Sequence, residues 1–180
     1  NKASELLKNG TVDRVFGWKK GEFDYDITPA LFTTAEDIEN EFVWGDFCGA
    51  NFSKYLIKET GKSENKVLVF LKPCDTYSFN QLLTEHRFDR EKVYAVGVPC
   101  NGMLDTGKIK SSAEGISKVT DNGDKVVIET LFDGEITLDR NELLPDRCLN
   151  CKSKKHVAYD ELLGEDGAVL DSNRFDEVEK

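Results

Sequence analysis

The sequence predicts an α/β fold: a mainly parallel sheet with flanking helices and a small antiparallel meander inserted into it. Two short apolar runs, 66–71 and 92–98, are bounded by turn signals, as is typical of strands buried on both faces of a sheet. Between them, residues 75–87 carry apolar side chains at helical spacing. A strand, a helix and a strand within about 30 residues form a βαβ unit, so the two strands should be parallel neighbours.

The stretch 115–140 predicts the antiparallel meander. Short alternating runs in this stretch are separated by Asn122-Gly123 and Asp133-Gly134, dipeptides that favour tight hairpin turns. We expect the meander to be an insertion, at about 115–140, in one α/β domain that covers residues 1–165. Residues 166–180 are acidic and weakly patterned, which predicts a tail or linker.

The first 60 residues predict four further elements. Residues 2–9 and 50–60 have the pattern of helices, and each stretch is followed by a glycine that would end the helix. Residues 12–18 alternate loosely between apolar and polar side chains and predict a strand. Thr33, followed three residues later by Glu36, resembles a capping box and predicts a helix that ends near residue 41.

Composition places the chain among folded proteins and excludes two classes of function. Of 180 residues, 39% are hydrophobic and 32% are charged, which suits a globular core rather than disorder. The net charge of −10 argues against binding to nucleic acid, whose phosphates attract clustered Lys and Arg. No apolar run approaches the ~18–20 residues that cross a bilayer, and the first residues lack the pattern of a signal peptide. We therefore expect a cytoplasmic protein.

Four of the five cysteines are candidates for binding a metal ion or a cluster. Cys74 and Cys100 each follow a proline at the end of a predicted buried strand, and Cys148 and Cys151 form a Cys-x-x-Cys pair. The carboxyl ends of parallel strands lie at one edge of a sheet, where open α/β sheets bind ligands. Rigidly held thiolates bind zinc and iron–sulfur clusters, so we expect these four side chains to be ligands.

The prolines before Cys74 and Cys100 add to this hypothesis. Pro73 and Pro99 have no N–H group, so each is expected to end its strand. The amides that follow would then be free to donate to the sulfurs of a cluster and to tune its potential.

Zinc is the alternative to iron. Structural zinc usually takes two Cys-x-x-Cys pairs, or one such pair with two histidines, whereas here His86 and His156 are not spaced as a pair. A disulfide-exchange role for Cys148 and Cys151 is less favoured, because the pair does not lie between a strand and a helix as in thioredoxin. The fifth cysteine, Cys48, is expected to be a buried free thiol.

Four polar residues near the cysteines have two possible roles each. Asp75 and Asn101 adjoin predicted ligands and would either support them or serve as turn and helix-cap residues. Lys54 and Lys72 could contact an anionic cofactor, but lysine is usually a solvated surface charge, and we expect that role for both.

At these cysteines the chain resembles the beta-subunit family of the coenzyme F420 (deazaflavin) hydrogenases and dehydrogenases, most strongly its bacterial iron–sulfur relatives. The resemblance covers most of residues 5–165 apart from the meander. The segments that carry it are Lys72-Pro73-Cys74-Asp75, Gly97-Val98-Pro99-Cys100-Asn101-Gly102, Cys148-Leu149-Asn150-Cys151, the tail Ala158-Tyr159-Asp160-Glu161-Leu162-Leu163-Gly164 and the N-terminal part from Val12 through Ala50-Asn51-Phe52-Ser53-Lys54-Tyr55-Leu56.

The resemblance implies one [4Fe–4S] cluster with Cys74, Cys100, Cys148 and Cys151 as its ligands. In the deazaflavin-reducing members it also implies an FAD beside the cluster; Leu162 stands here at the position of a serine in the family's closing motif. The bacterial relatives accompany hydrogenase, formate dehydrogenase or heterodisulfide reductase-like subunits, and they often carry a downstream ferredoxin-like domain. We therefore expect the chain to be part of a longer protein.

The expected function is that of an electron-transfer subunit or domain in a cytoplasmic oxidoreductase complex, with one [4Fe–4S] cluster that could pass electrons to a flavin. Two alternatives stay open at this point. One is a zinc-stabilised structural subunit, and the other is a flavin-dependent oxidoreductase that acts on the deazaflavin itself. The sequence leaves open whether the chain is an enzyme by itself.

Overall fold

The computed structural model describes residues 2–167 and confirms the predicted α/β fold. A mainly parallel sheet and a separate three-stranded antiparallel sheet contain the strands of this part of the chain. The strands are β1 (Arg14–Lys20), β2 (Ile27–Phe32), β3 (Phe42–Val43), β4 (Val67–Leu71), β5 (Val93–Gly97), β6 (Ile116–Asp121), β7 (Lys125–Thr130), β8 (Glu135–Asp139) and β9 (Glu161–Leu162). The helices are α1 (Lys2–Lys8), α2 (Ala35–Glu41), α3 (Ser53–Glu59), α4 (Pro73–Thr84), α5 (Thr106–Ser112), α6 (Arg140–Leu143) and α7 (Asp146–Leu149), with a short 3-10 turn at Arg90–Lys92.

The larger sheet is built around the predicted βαβ unit. Its strand order is β2-β1-β4-β5-β9, and β3 pairs with β1 on the edge opposite β2. β4 is parallel to both β1 and β5, and β5 is parallel to β9, whereas β2 and β3 run antiparallel to β1. The pairing of β4 with β5 confirms the predicted parallel neighbours.

Both faces of β4 are buried, as its sequence predicts. Val67, Val69 and Leu71 lie in one apolar core, together with residues of α3 and α4, while Leu68 and Phe70 lie in a second core on the opposite face. Alternate residues of a strand point to opposite faces, so an all-apolar strand can serve two cores at once. Each large apolar side chain buried in this way contributes roughly 1.5–3 kcal/mol of transfer free energy.

Helix α4 begins two residues earlier than predicted, and this changes the place of Cys74. The strand ends at Leu71, Lys72 is the N-cap residue, and Pro73 is the first residue of the helix. Proline is favoured there because its missing N–H would have no partner in a first helical turn. Pro73 therefore opens a helix rather than ending a strand, and Cys74 lies in the first turn of α4.

The meander forms as predicted, with β6, β7 and β8 in one antiparallel sheet. Gly123 and Gly134 adopt φ of 94° and 75°, in the left-handed region that glycine enters without steric cost. Val126 and Ile128 of β7 are fully buried in a third apolar core, to which α5 contributes Ile109.

Two local expectations differ from the structure. The N-cap of α2 is Thr34 rather than Thr33: its hydroxyl oxygen accepts from the N–H of Asp37 at 3.1 Å. Residues 168–180 of the predicted tail, which spans 166–180, lie outside the described residues. Within residues 2–167, each helix is too short or too polar to traverse a lipid bilayer.

Shortening Leu68 to alanine should destabilise the whole domain. Leu68 has no exposed surface, so Leu68→Ala would leave a cavity in the central strand, and we expect a loss of about 2–5 kcal/mol in the free energy of unfolding. Leu131→Ala is the matched control, because Leu131 is 68% exposed and its loss should change stability by less than about 0.5 kcal/mol. Equal denaturant midpoints for the two variants would contradict the central role of β4.

Candidate functional site

One cavity of about 530 Å³ brings the four predicted cysteines together. Cys74 follows the end of β4 and Cys100 follows the end of β5, so both reach the cavity from the carboxyl edge of the parallel sheet. Cys148 lies in α7 and Cys151 is the second residue after this helix, and both line the cavity. The cavity thus joins segments that are far apart in the sequence.

The segment after β5 curves around the sulfur of Cys100. The N–H of Gly102 donates to Cys100 Sγ at 3.4 Å. Gly102 has φ of 103°, where a side chain would be strained, and a Cβ there would come within 3.2 Å of Leu144. Glycine at this position therefore allows the chain to turn back toward the sulfur.

A single helical turn positions the Cys-x-x-Cys pair. Pro145 precedes α7, and its carbonyl accepts from the N–H of Cys148 at 2.8 Å. The N–H of Cys151 then donates to the carbonyl of Cys148 at 3.2 Å, which closes the turn. Cys148 also packs against apolar cores on both sides, so this end of the turn is anchored.

The four thiols share the cavity without converging on a single point. Among residues 2–167, no three side chains of His, Cys, Asp or Glu lie close enough together to hold one metal ion. The four cysteines line one common cavity. Their role as ligands stays a prediction.

The surroundings of Cys74 and Cys100 raise the pKa of both thiols and so favour their protonated form. Burial raises the pKa of Cys74 to about 12, and the neighbouring carboxylate of Asp75 adds to the rise, although the side chain is open to solvent on the cavity side. Burial also raises the pKa of Cys100, partly offset by the N–H of Gly102 and the ammonium of Lys72. Binding of a metal through these thiols would therefore release protons.

Cys48 is buried, as predicted, and does not line the cavity. It belongs to the apolar core beneath the sheet edge, and its Sγ accepts from the N–H of Gly45 at 3.3 Å. Burial raises the pKa of its thiol to about 11. Cys48 thus acts as a small apolar core residue.

Lys72 is buried, so the prediction of a solvated surface charge was wrong. Only 4% of the residue is exposed, and its ammonium lies 2.8 Å from Asp75 Oδ2. The same Nζ donates to the carbonyls of Cys48 and Ala50, at 3.0 Å each. Gly49, between these two residues, lines the cavity, so Lys72 fixes one cavity wall. Lys54, in contrast, is exposed, as expected.

Asp75 combines the two roles that the sequence left open. Its carboxylate accepts from the backbone N–H of Lys72 at 3.2 Å, which caps α4, and also lies 3.8 Å from Cys74 Sγ as an acceptor. Burial raises its pKa, and the Lys72 ammonium acts in the opposite direction. Asn101 is exposed and contributes its backbone carbonyl to Arg140, at 3.0 Å.

His156 holds the segment after Cys151 against the end of β4. Its Nε2 lies 3.0 Å from the carbonyl oxygen of Leu71, and its Nδ1 lies 2.5 Å from the carboxylate of Asp166. Further along, Asp160 accepts from the N–H of Ala95 in β5 at 2.7 Å. The C-terminal segment therefore closes over the same strand ends from which Cys74 and Cys100 emerge.

Sequence reasoning missed the basic side chains around the cavity. Lys72, Arg147, Lys152 and Lys154 line it, and no Asp or Glu within residues 2–167 does so. The chain as a whole is acidic, with 34 acidic and 24 basic residues, so the positive charge of the cavity lining is opposite in sign to the net charge of the protein. Three of the four basic residues flank the Cys-x-x-Cys pair, a clustering that the sequence already displays.

Comparison with known proteins relates the chain to subunits of two redox complexes. It is 32% identical over 99 residues to the F420-dependent formate dehydrogenase 1 subunit beta of Methanococcus maripaludis, and 28% identical over 99 residues to the F420-dependent formate dehydrogenase subunit beta of Methanocaldococcus jannaschii. These two sequence matches confirm the resemblance to the F420 hydrogenase and dehydrogenase beta-subunit family. Each match covers 55% of this chain and about a quarter of the relative, 25% and 26%.

A solved structure shares the fold. A chain of the F420-reducing [NiFe] hydrogenase complex from Methanosarcina barkeri superposes with a TM-score of 0.61 at 18% identity, covering 82% of this chain and 55% of the other. No protein-family model matches the chain. The relationship to the beta subunits therefore rests on sequence similarity such as these two matches, and the solved structure shows a shared fold.

Replacing Lys72 by methionine should destabilise the protein strongly. Lys72→Met keeps the length of the side chain but leaves the buried Asp75 carboxylate and two carbonyls without their shared donor. Removal of one partner from a buried pair costs about 3–5 kcal/mol, and denaturant unfolding should show a loss of this size. Lys54→Met, at an exposed position, serves as the control and should leave the unfolding midpoint nearly unchanged. A Lys72→Met variant as stable as its control would refute the structural role of the pair.

Proposed function

We propose that the chain is an electron-transfer domain of an oxidoreductase complex and holds one [4Fe–4S] cluster through Cys74, Cys100, Cys148 and Cys151. The observation that carries this proposal is the common cavity, which all four thiols line at the carboxyl edge of the parallel sheet. Ligands in open α/β folds bind at this edge.

The size of the cavity suits a cluster better than a single ion. A tetrahedral zinc site brings four ligands to about 2.0–2.3 Å from one atom, so the ligands crowd together. A cube of four irons and four sulfides holds its four thiolates farther apart, one at each iron. Four thiols that line a cavity of about 530 Å³ leave room for the second arrangement.

The charges and the packing around the cavity also suit a thiolate-bound cluster. Such a cluster is anionic, and the charged side chains that line the cavity within residues 2–167 are all basic. Cys100 and Cys148 pack against a buried apolar core, and the N–H of Gly102 points at the sulfur of Cys100. Amide donors and burial are the means by which a protein tunes the potential of a cluster.

A bound cluster would supply reversible one-electron transfer. The residues of this chain supply the rest: thiolates to hold the cluster, the turn at α7 to orient two of them, and the Lys72 anchor to fix the wall at Gly49. No proton or substrate needs to be handled at this site for the domain to act as a carrier of electrons.

The named relatives support a redox complex as the setting. They are beta subunits of F420-dependent formate dehydrogenases, and this chain spans about a quarter of their length. We propose a place beside a catalytic subunit of the formate dehydrogenase or hydrogenase kind. A cytoplasmic location, a flavin such as FAD, a heterodisulfide reductase-like partner and a ferredoxin-like domain stay predictions from the family resemblance.

Anaerobic reconstitution with iron and sulfide tests the proposal directly. We expect a brown protein with about four irons and four sulfides per chain, and a signal of a reduced cluster by electron paramagnetic resonance after dithionite treatment. A colourless protein that holds one zinc and no iron after the same treatment would contradict the proposal and favour the structural alternative.

Serine substitutions identify the ligands. Cys100→Ser removes a thiolate from the cavity, and we expect it to lose most of the bound iron while retaining its helical circular dichroism. Cys48→Ser is the matched control, because Cys48 is buried outside the cavity lining and its loss should leave the iron content per folded chain unchanged. Equal iron in the Cys100→Ser and wild-type proteins would refute Cys100 as a ligand.

A further inference from the structure

We propose that the basic side chains at the mouth of the cysteine cavity form a docking surface for an acidic one-electron carrier protein. This basic rim consists of Arg147, Lys152 and Lys154. The inference rests on the proposed cluster, and it adds the kind of partner that delivers or removes the electron and the face on which that partner docks.

The first observation is the charge of the rim against that of the whole chain. The chain has a net charge of −10, yet the three residues of the rim stand together without an acidic side chain in the cavity lining. Within residues 2–167, no carboxylate forms an ion pair with any of the three. Among the described residues, no ion pair takes up their charge.

The second observation is that two side chains of the rim are exposed to solvent. Arg147 and Lys152 are exposed, so their charges act on the solvent side of the cavity as well as on an anionic cluster inside it. Lys72 is the basic side chain buried at that cavity, and its three bonds to this chain occupy it. The charges of Arg147 and Lys152 thus face outward, where they act on molecules that approach the cavity, while Lys154 is half-buried beside them.

The third observation is an exposed apolar residue within the rim. Leu149 is 44% exposed and lies between Cys148 and Cys151, with Arg147 and Lys152 on either side along the chain. A small apolar contact bordered by charged residues is typical of weak and transient protein interfaces. A protein seated there would lie directly over two of the proposed ligands.

The acidity of the remaining surface would orient such a partner. An acidic carrier is repelled by most of this chain and attracted to the basic rim, so diffusion steers it toward the face where transfer distance is shortest. The reaction is balanced by a single electron: the reduced carrier is oxidised by one electron, the proposed cluster is reduced by one, and no bond forms or breaks.

The test uses the reconstituted full chain and an oxidised plant-type [2Fe–2S] ferredoxin as the acidic probe. Calorimetric titration at low ionic strength should show binding to the wild-type protein. We expect the double variant Arg147→Gln and Lys152→Gln to weaken the dissociation constant at least about tenfold, because two of the attractive charges are lost. The double variant Lys118→Gln and Lys125→Gln removes the same charge from the meander, and its affinity should equal that of the wild type.

Salt dependence gives an independent readout that needs no variant. Affinity of the wild-type protein for ferredoxin should fall steeply as the salt concentration rises, and the Arg147→Gln and Lys152→Gln protein should show a shallower fall. If this variant loses its cluster, two other measurements test the docking surface. The wild-type protein must bind ferredoxin in a way that salt weakens, and the charge-keeping double variant Arg147→Lys with Lys152→Arg must do the same.

The outcomes separate the docking surface from the cluster itself. Wild-type protein without iron after reconstitution contradicts the cluster, whatever its affinity for ferredoxin. Iron-loaded wild-type protein that does not bind ferredoxin, binds it equally well in high salt, or binds it as tightly as the rim variant overturns the docking surface. A flavin that is retained by the wild type and lost from the rim variant would also overturn it, because the rim would then hold a nucleotide.

Discussion

The register between β4 and β5 determines where the cysteine segments lie. Val67 pairs with Val93 and Leu71 pairs with Gly97, so the two strands end at the same level of the sheet. Cys74 and Cys100 each follow within a few residues of these ends. A shift of one residue in the pairing would displace the two segments by about 3.3 Å along the strands, enough to spoil a site built on both. The two apolar cores that cover β4 hold this register in place.

The other walls of the cavity are attached to the same strand end. Lys72 follows β4 and ties down the carbonyls of Cys48 and Ala50, while His156 contacts the carbonyl of Leu71 and so holds the segment that follows Cys151. These contacts use buried polar groups whose partners are all supplied by the protein, which makes them costly to break. A rigid strand end with several segments bonded to it is a suitable support for a preorganised site.

The extent to which the sequence predicts this arrangement depends on how local each signal is. The βαβ unit and the meander were predicted because apolar periodicity and Asn-Gly or Asp-Gly turns are local signals. The start of α2 was misplaced by one residue because Thr33 and Thr34 are each followed by an acidic residue three positions later. The burial of Lys72 could not be foreseen, since two of its three partners lie 22 and 24 residues earlier in the chain and meet it only in the folded state. The rim of Arg147, Lys152 and Lys154 is visible as a sequence cluster, but only the fold shows that it borders the cavity.

A crystal structure of the anaerobically reconstituted chain, with anomalous data collected at the iron edge, tests the central claim most directly. We expect four iron peaks inside the cavity, each within bonding distance of one cysteine sulfur. The four cysteines are Cys74, Cys100, Cys148 and Cys151. Iron peaks elsewhere in the molecule, a ligand set that omits any of these cysteines, or a single metal ion in the cavity would contradict the central claim.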